Sequence, residues 1–244
     1  MTRQVEEFTP FATPELLVVM PVFNEQASVR KVVLEWFQEI ENWTEDFCFL
    51  AINDGSTDGT EKILSRLQAQ LGPRLEVLSR ENRGHGQSCL QGYRTAIERK
   101  IPFVFQIDSD GQCDPQYFFR FWRERAGVDV IYGKRVSRLD GWRRTLAGRI
   151  LKLTLFLFGR VRCVDANVPY RLIRTTILPD KLQKIPASFF LANVALAVLL
   201  KKDPSIRHAC VPIVFRERYG GEPTVRIGKF GEKAFELISQ LRRL

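Results

Sequence analysis

Apolar positions along the chain switch between two periodicities. Residues 15–20 form a short apolar run stopped by Pro21, the pattern of a buried strand. Across residues 25–43, Val29, Val32, Val33, Trp36, Phe37 and Ile40 recur at helical spacing. A second apolar run, 47–52, stops at Asn53-Asp54-Gly55, and residues 58–71 return to helical spacing with Thr57 or Asp58 as N-cap. Residues 75–78 predict a third strand and 86–99 a third helix. A fourth strand at 103–107 runs into Asp108-Ser109-Asp110, and 128–132 reads as a fifth.

Repeated alternation of strand and helix within the first 135 residues predicts an α/β fold, with a mostly parallel central sheet covered by helices on both faces. Ligands of such sheets bind at the carboxyl ends of the strands. The polar clusters lie just there: Asn24-Glu25, Asp54, the 82–87 loop and Asp108-Ser109-Asp110. Four loops are therefore expected to converge on one crevice. The second half differs. Residues 141–159 are amphipathic with arginines at their start, 189–200 predict an apolar helix, and 207–215 a strand. Residues 230–244 set Phe235, Leu237, Ile238 and Leu241 amid Lys233, Arg242 and Arg243. The whole chain, 1–244, reads as one fused domain.

Length agrees, since 244 residues suit one sizeable α/β domain. Charge narrows the partners. Thirty-seven basic against 28 acidic residues give +9, which suits nucleic acid, anionic lipid or a phosphate-rich ligand. No nucleic-acid-binding motif is present, so nucleic acid is set aside and the phosphate and membrane readings lead. Five widely spaced cysteines without CxxC read as reduced thiols of a reducing compartment. Glu6, Glu7 and two prolines stand where a signal peptide would be apolar. The longest apolar stretches, 151–158 and 189–200, fall short of the about 20 residues of a spanning helix. The expectation is a cytoplasmic protein with peripheral membrane contact.

Asp108 and Asp110, one residue apart after a buried strand, repel each other unless a cation sits between them. Mg²⁺ or Mn²⁺ takes oxygen ligands and bridges carboxylates to substrate phosphates, and Gln112 offers an amide oxygen. A turn with two solvated aspartates is the alternative. Asp54 reads either as a turn or cap residue or as an acceptor for a nucleotide base N–H. The glycine-rich 82–86 segment precedes a helix, where backbone N–H groups receive anions. His85 is a lesser catalytic candidate, and His208, in a predicted strand, reads as structural.

Pro21–Glu25 (PVFNE), Asn53–Thr60 (NDGSTDGT), Asn82–Ser88 (NRGHGQS) and Gln106–Pro115 (QIDSDGQCDP) occur in order. Together they resemble the family 2 inverting glycosyltransferases of GT-A fold, whose N-terminal half is Rossmann-like and binds nucleotide. Within that family the chain is similar to the polyprenyl-phosphate sugar synthases, the dolichyl-phosphate mannose synthase group. The carrying residues are Asp108–Gln112, Gly133-Lys134-Arg135, Asp165 with Tyr170-Arg171-Leu172, Phe215–Arg218 and Gly220-Gly221-Glu222. The resemblance implies a nucleotide-sugar-binding half at 1–135 and an acceptor-binding half at 136–244. It assigns the donor to Pro21, Val22, Phe23, Glu25, Asp54, Gly84, Gln87, Asp108, Ser109 and Arg218. The metal falls to Asp108, Asp110 and Gln112, and the acceptor phosphate to Arg135 with Arg143 and Arg144. Asp110, Arg135 and Asp165 become the catalytic candidates. Departures are Pro223-Thr224 where the family has Ser-Lys, so that Arg226 or Lys229 would substitute, and Asn193 in place of a glutamate, which leaves the sugar undefined.

The implied reaction is displacement at the anomeric carbon, a hexose leaving a UDP- or GDP-sugar with help from Mg²⁺ or Mn²⁺. A hydroxyl acceptor needs a carboxylate base, for which Asp165 is the candidate; a phosphate acceptor does not. The QxxRW motif of processive polysaccharide synthases is absent. These points favour a polyprenyl phosphate acceptor. Transfer to a sugar, lipid or protein hydroxyl, and a catalytically inactive nucleotide-sugar-binding protein, are the alternatives. Arg138, Arg143, Arg144 and Arg149 beside 151–158 fit a helix lying in the membrane interface.

Overall fold

The structure, a computed structural model, describes residues 13–137, 161, 166–186, 189 and 191–220. The expectations for 141–159, Arg143, Arg144, Asp165 and 230–244 lie outside the described residues.

The predicted strands and helices of the first half form, with one helix more, as β1 (Leu16–Val22), α1 (Val29–Glu41), β2 (Phe47–Asp54), α2 (Thr60–Leu71), β3 (Leu75–Arg80), α3 (His85–Glu98), β4 (Phe103–Gln106), α4 (Phe118–Glu124) and β5 (Val130–Ser137). Then follow β6 (Arg171–Arg174), α5 (Pro179–Gln183), α6 (Ala192–Lys202) and β7 (His208–Val214). One seven-stranded sheet runs in the order β3-β2-β1-β4-β6-β5-β7, parallel except that β6 lies antiparallel between β4 and β5.

Helices cover both faces, as the alternation predicts. Phe105 pairs with Val18 and Gln106 with Val19, so neighbouring side chains along β4 point to opposite faces. On the Phe105 face, Trp36 of α1 and Phe118 and Phe121 of α4 close on Phe105 and Tyr170, with ring centroids 4.7–5.7 Å apart along the chain of contacts. These rings are fully buried, each contributing roughly 1.5–3 kcal/mol by burial beside the edge-to-face attraction of aromatic pairs. The cluster also braces the site, since the Tyr170 hydroxyl donates to the Asp114 carbonyl at 3.0 Å. On the other face α3 presses on β1 so closely that a Cβ on Gly92 would stand 2.2 Å from Val19 Cγ1. Only glycine permits that approach, which fixes how α3 lies along the sheet.

Sequence periodicity missed α4, β6 and the five-residue α5. α4 is seven residues between single-turn 3₁₀ segments, and β6 is four residues, Arg-Leu-Ile-Arg, too short to display alternation. The first helix starts at Val29 rather than 25, because Ser28 and Val29 N–H both bond back to the Glu25 carbonyl in a turn. Asp58 performs the predicted capping from one residue further out, its carboxylate accepting the Thr60 N–H at 2.9 Å. Among the described residues no helix is long and apolar enough to cross a membrane.

Candidate active site

The four loops predicted to converge do so at the carboxyl edge of the parallel strands, and hydrogen bonds join each to the next. Asn24, after β1, adopts a left-handed backbone (φ 53°), which asparagine tolerates better than most residues. Its N–H donates to Ser56 Oγ at 3.0 Å and its Oδ1 accepts the Thr57 N–H at 2.8 Å. Glu25 N–H donates to Thr60 Oγ1. The loops after β1 and β2 are thus one rigid unit. Pro21 and Val22 are buried in β1, and Phe23, at the rim, is half-buried.

Asp54 closes β2 and is buried. Arg80, its register partner at the end of β3, donates to Asp54 Oδ1 through Nε at 3.0 Å, and its Nη2 pairs with the same oxygen at 2.9 Å while donating to Ser88 Oγ. The Arg83 and Gly84 N–H groups donate to the same carboxylate at 3.1 and 2.7 Å. Asp54 therefore shapes the 82–84 loop and sets the start of α3, which brings that helix's positive end to the crevice. Gln87 lies in its first turn, half-buried.

Asp108 and Asp110 follow β4 at the centre. Asp108 Oδ1 is buried without a hydrogen-bond partner among the described residues. Its nearest cationic neighbour is His85 Nε2 at 3.7 Å. Burial, reinforced by Asp110, pushes the Asp108 carboxyl above the ordinary carboxylate range, against the pull of His85, Arg171 and Arg135. Burial likewise raises Glu25, whose Oε2 accepts the Ser28 hydroxyl at 2.6 Å. The same hydroxyl reaches the Ser109 carbonyl, tying the first loop to the acidic one. Asp110 Oδ1 accepts the Gln112 N–H at 3.0 Å, and Gly111 makes that turn at φ 81°. The His85 imidazole, beside Cys89 Sγ at 3.5 Å, is pushed upward by Cys89 first and by Asp108.

The residues fit a hard divalent ion. A buried carboxylate oxygen with no partner, beside a second carboxylate, is the arrangement that a cation relieves. Among the described residues no three of His, Cys, Asp and Glu are grouped to cage a metal. The pair is an open shell that suits an ion bringing phosphate and water oxygens of its own.

Arg218 comes from the segment after β7. Its Nη1 lies 3.4 Å from Asp110 Oδ2, its Nη2 donates to Glu25 Oε1, and its Nε donates to the Gly220 carbonyl at 2.6 Å. Arg135, at the end of β5, stacks 5.1 Å from the Phe215 ring centroid and is felt electrostatically by Asp108. The structure thus brings together Glu25, Asp54, Gly84, Gln87, Asp108–Gln112, Arg135 and Arg218. Sequence reasoning missed Arg80 and Ser28. Arg80 lies two residues past the predicted end of the third strand at 78, and only the register of the folded sheet sets it opposite Asp54; Ser28 carried no signal.

Comparison with known proteins agrees with this geometry. Residues 17–183 match the model of "Glycosyl transferase family 2". The undecaprenyl-phosphate 4-deoxy-4-formamido-L-arabinose transferase of Aeromonas hydrophila is 28% identical over 66% of this chain and 49% of its own length. The enzyme of the same name from Serratia proteamaculans is 27% identical over 92% of this chain and 67% of its own. The polyprenol monophosphomannose synthase of Mycolicibacterium smegmatis is 26% identical over 68% and 64%. The chain thus spans about half to two thirds of the length of these relatives. In fold it is similar to the glucosyl-3-phosphoglycerate synthase of Mycobacterium tuberculosis, solved with Mn²⁺, UDP and phosphoglyceric acid: TM-score 0.66, 18% identity, 93% of this chain and 77% of that one. With the family model matched across the first six strands and the acidic loop, and the α/β architecture that of the GT-A fold, the chain belongs to glycosyl transferase family 2.

Proposed function

We propose that this glycosyltransferase moves a hexose from a UDP- or GDP-sugar to a polyprenyl phosphate, with inversion and with Mg²⁺ or Mn²⁺, at the cytoplasmic face of a membrane. The observation that carries the reading is the buried Asp108 Oδ1, without a hydrogen bond among the described residues, beside Asp110 at the point where four loops and Arg218 meet. Asp108 and Asp110, with Gln112, hold the ion, which would supply positive charge to a leaving diphosphate. Phe23, Glu25, Asp54, Gly84 and Gln87, with the backbone of Pro21, Val22 and Ser109, line the nucleotide side. Arg218 is poised to exchange its carboxylate partners for the diphosphate, a preorganised cation where charge develops. Arg135, with Arg143 and Arg144, meets the acceptor phosphate.

Two points support a lipid phosphate as acceptor. The relatives named above act, by their names, on undecaprenyl phosphate or polyprenol. A phosphate is already anionic at neutral pH, so the transfer needs no general base. The test is an assay with Mg²⁺ or Mn²⁺, a panel of UDP- and GDP-sugars, and undecaprenyl or dolichyl phosphate. A lipid-linked sugar is the expected product. Donor hydrolysis without lipid product would move the acceptor to a hydroxyl and make Asp165 the base to test. No donor consumption would leave a nucleotide-sugar-binding protein.

A further inference from the structure

The segment 215–220 is fastened on both sides of Arg218. On the near side, the Arg216 N–H donates to the Gln112 carbonyl at 3.0 Å and the Tyr219 N–H to the Asp110 carbonyl at 3.1 Å. The Tyr219 ring packs on Gly111, where a Cβ would stand 2.5 Å away. On the far side the anchor is Glu35 of α1. The Tyr219 hydroxyl lies 3.0 and 3.1 Å from its two carboxylate oxygens, and Arg216 Nη2 donates to Oε2 at 3.0 Å. Lys31, one helical turn away at 3.7 Å, sits 3.8 Å from the Tyr219 ring centroid. Glu35 is not among the residues that α1 buries in the core, and its side chain is 30% exposed.

We propose that Glu35 is a positioning residue for donor binding, holding Tyr219 and Arg216 so that Arg218 is delivered to the acidic loop. One carboxylate receives a phenol, a guanidinium and an ammonium from three positions, two of them flanking Arg218. Charge-assisted bonds of this kind are stronger than neutral ones and set geometry. Without the anchor, the segment keeps its two backbone bonds to the loop, but the arginine between them loses its fixed reach. The inference rests on the donor reading above, because the group that Arg218 is held for is a nucleoside diphosphate.

The experiment titrates Mn²⁺ with UDP, and with GDP, against wild type, Glu35→Ala, Tyr219→Phe, Arg218→Ala and the double variant Glu35→Ala/Arg218→Ala. Glu35→Ala should weaken diphosphate binding about tenfold and Tyr219→Phe about threefold. Glu35→Gln, which keeps acceptor oxygens, should fall between wild type and Glu35→Ala. In the double variant the loss should equal that of Arg218→Ala alone, because residues acting through one another are not additive. Wild-type affinity in Glu35→Ala, or a loss that adds in full to that of Arg218→Ala, overturns the proposal. A second readout needs no donor: trypsin should cut after Arg216 and Arg218 faster in Glu35→Ala than in wild type, at an unchanged melting temperature. Equal cleavage rates also overturn it. Should wild type bind neither diphosphate, the donor reading fails and the cleavage rates judge the anchor alone.

Discussion

At the scale of single residues, the site is organised by unequal treatment of like groups. Asp54, Asp108 and Asp110 all end or follow strands, yet Asp54 is filled by Arg80 and two amides and Asp110 by Gln112 and Arg218, while among the described residues Asp108 Oδ1 accepts no hydrogen bond and has His85 Nε2 at 3.7 Å. Arg218 thus occupies the charge position that an ion would share. On the proposed reading, an ion held by Asp108 and Asp110 would share Asp110 with Arg218, and a diphosphate would offer anionic oxygens to both. Arg218→Ala should therefore tighten binding of Mn²⁺ alone while weakening binding of Mn²⁺ with UDP or GDP, and Asp108→Asn should weaken both. Each removed charge-assisted contact is worth about 1.5–3 kcal/mol, or roughly ten- to a hundredfold. Calorimetric titration checks the split, and weaker Mn²⁺ binding in Arg218→Ala would show that arginine and ion do not compete. His208 makes a separate case. Its ring stacks on Tyr132 at 6.1 Å, and burial and then Lys201 lower its pKa, with the Leu200 backbone, Asp129 and Asp203 opposing. The folded state thus favours the neutral ring. Its contribution to stability is complete above the unfolded value of about 6.5 and declines as pH falls through it. His208→Phe, which keeps the stack, should flatten the fall in melting temperature between pH 8 and 5; an unchanged slope would place that dependence elsewhere.

Among elements, what the sequence disclosed follows length and amphipathicity. The first four strands and three helices of the parallel half were legible because buried runs and helical stripes extend over whole elements and stop at Gly, Asn or Asp. The crevice was legible for the same reason, since polar clusters sit where apolar runs end. β6 and α4 were not: their four and seven residues are fixed by what they pack against, Phe105 and Tyr170 for α4 and the two flanking strands for β6. The fastening of the 215–220 segment was equally hidden, because Glu35 looks like any charged residue on the outer face of a helix. Gly111 is where element geometry reaches the chemistry. It needs φ 81° for the turn after Asp110, and it needs a bare Cα to take the Tyr219 ring. Gly111→Ala should cost about 1–2 kcal/mol from the backbone alone, with a further loss from displacing Tyr219. Adding Tyr219→Ala should then relieve the contact while leaving the backbone cost. Denaturant melts of wild type and the two variants test this. If Gly111→Ala is no less stable than wild type, the close fit is not real.

At the scale of the whole molecule, the sequence sets a run of arginines directly after a strand that carries part of the site. β5 and β7 run parallel, and their carboxyl ends hold the exposed Val136 and Val214, at 57% and 40% exposure. Directly after β5 the sequence continues into Arg138, Arg143, Arg144 and Arg149 and then the apolar stretch 151–158. On the proposed acceptor reading, a membrane-borne phosphate would reach Arg135 with the carboxyl end of β5 turned to the bilayer. Attraction to anionic lipid is worth about 1 kcal/mol per basic residue near the surface and fades within a Debye length, about 8 Å at physiological salt. The protein should therefore sediment with phosphatidylglycerol vesicles at low salt and be released as salt rises, while leaving phosphatidylcholine vesicles largely unbound. Reversing Arg143 and Arg144 to glutamate should lower the partition coefficient by at least about tenfold, since each reversal removes one attraction and adds a repulsion. Transfer to a short-chain, water-soluble polyprenyl phosphate should fall less than transfer to vesicle-borne acceptor if the arginines serve mainly the surface. Equal losses on both acceptors would instead put Arg143 and Arg144 on the phosphate itself, and binding indifferent to lipid charge would remove the membrane from the reading while leaving the transferase.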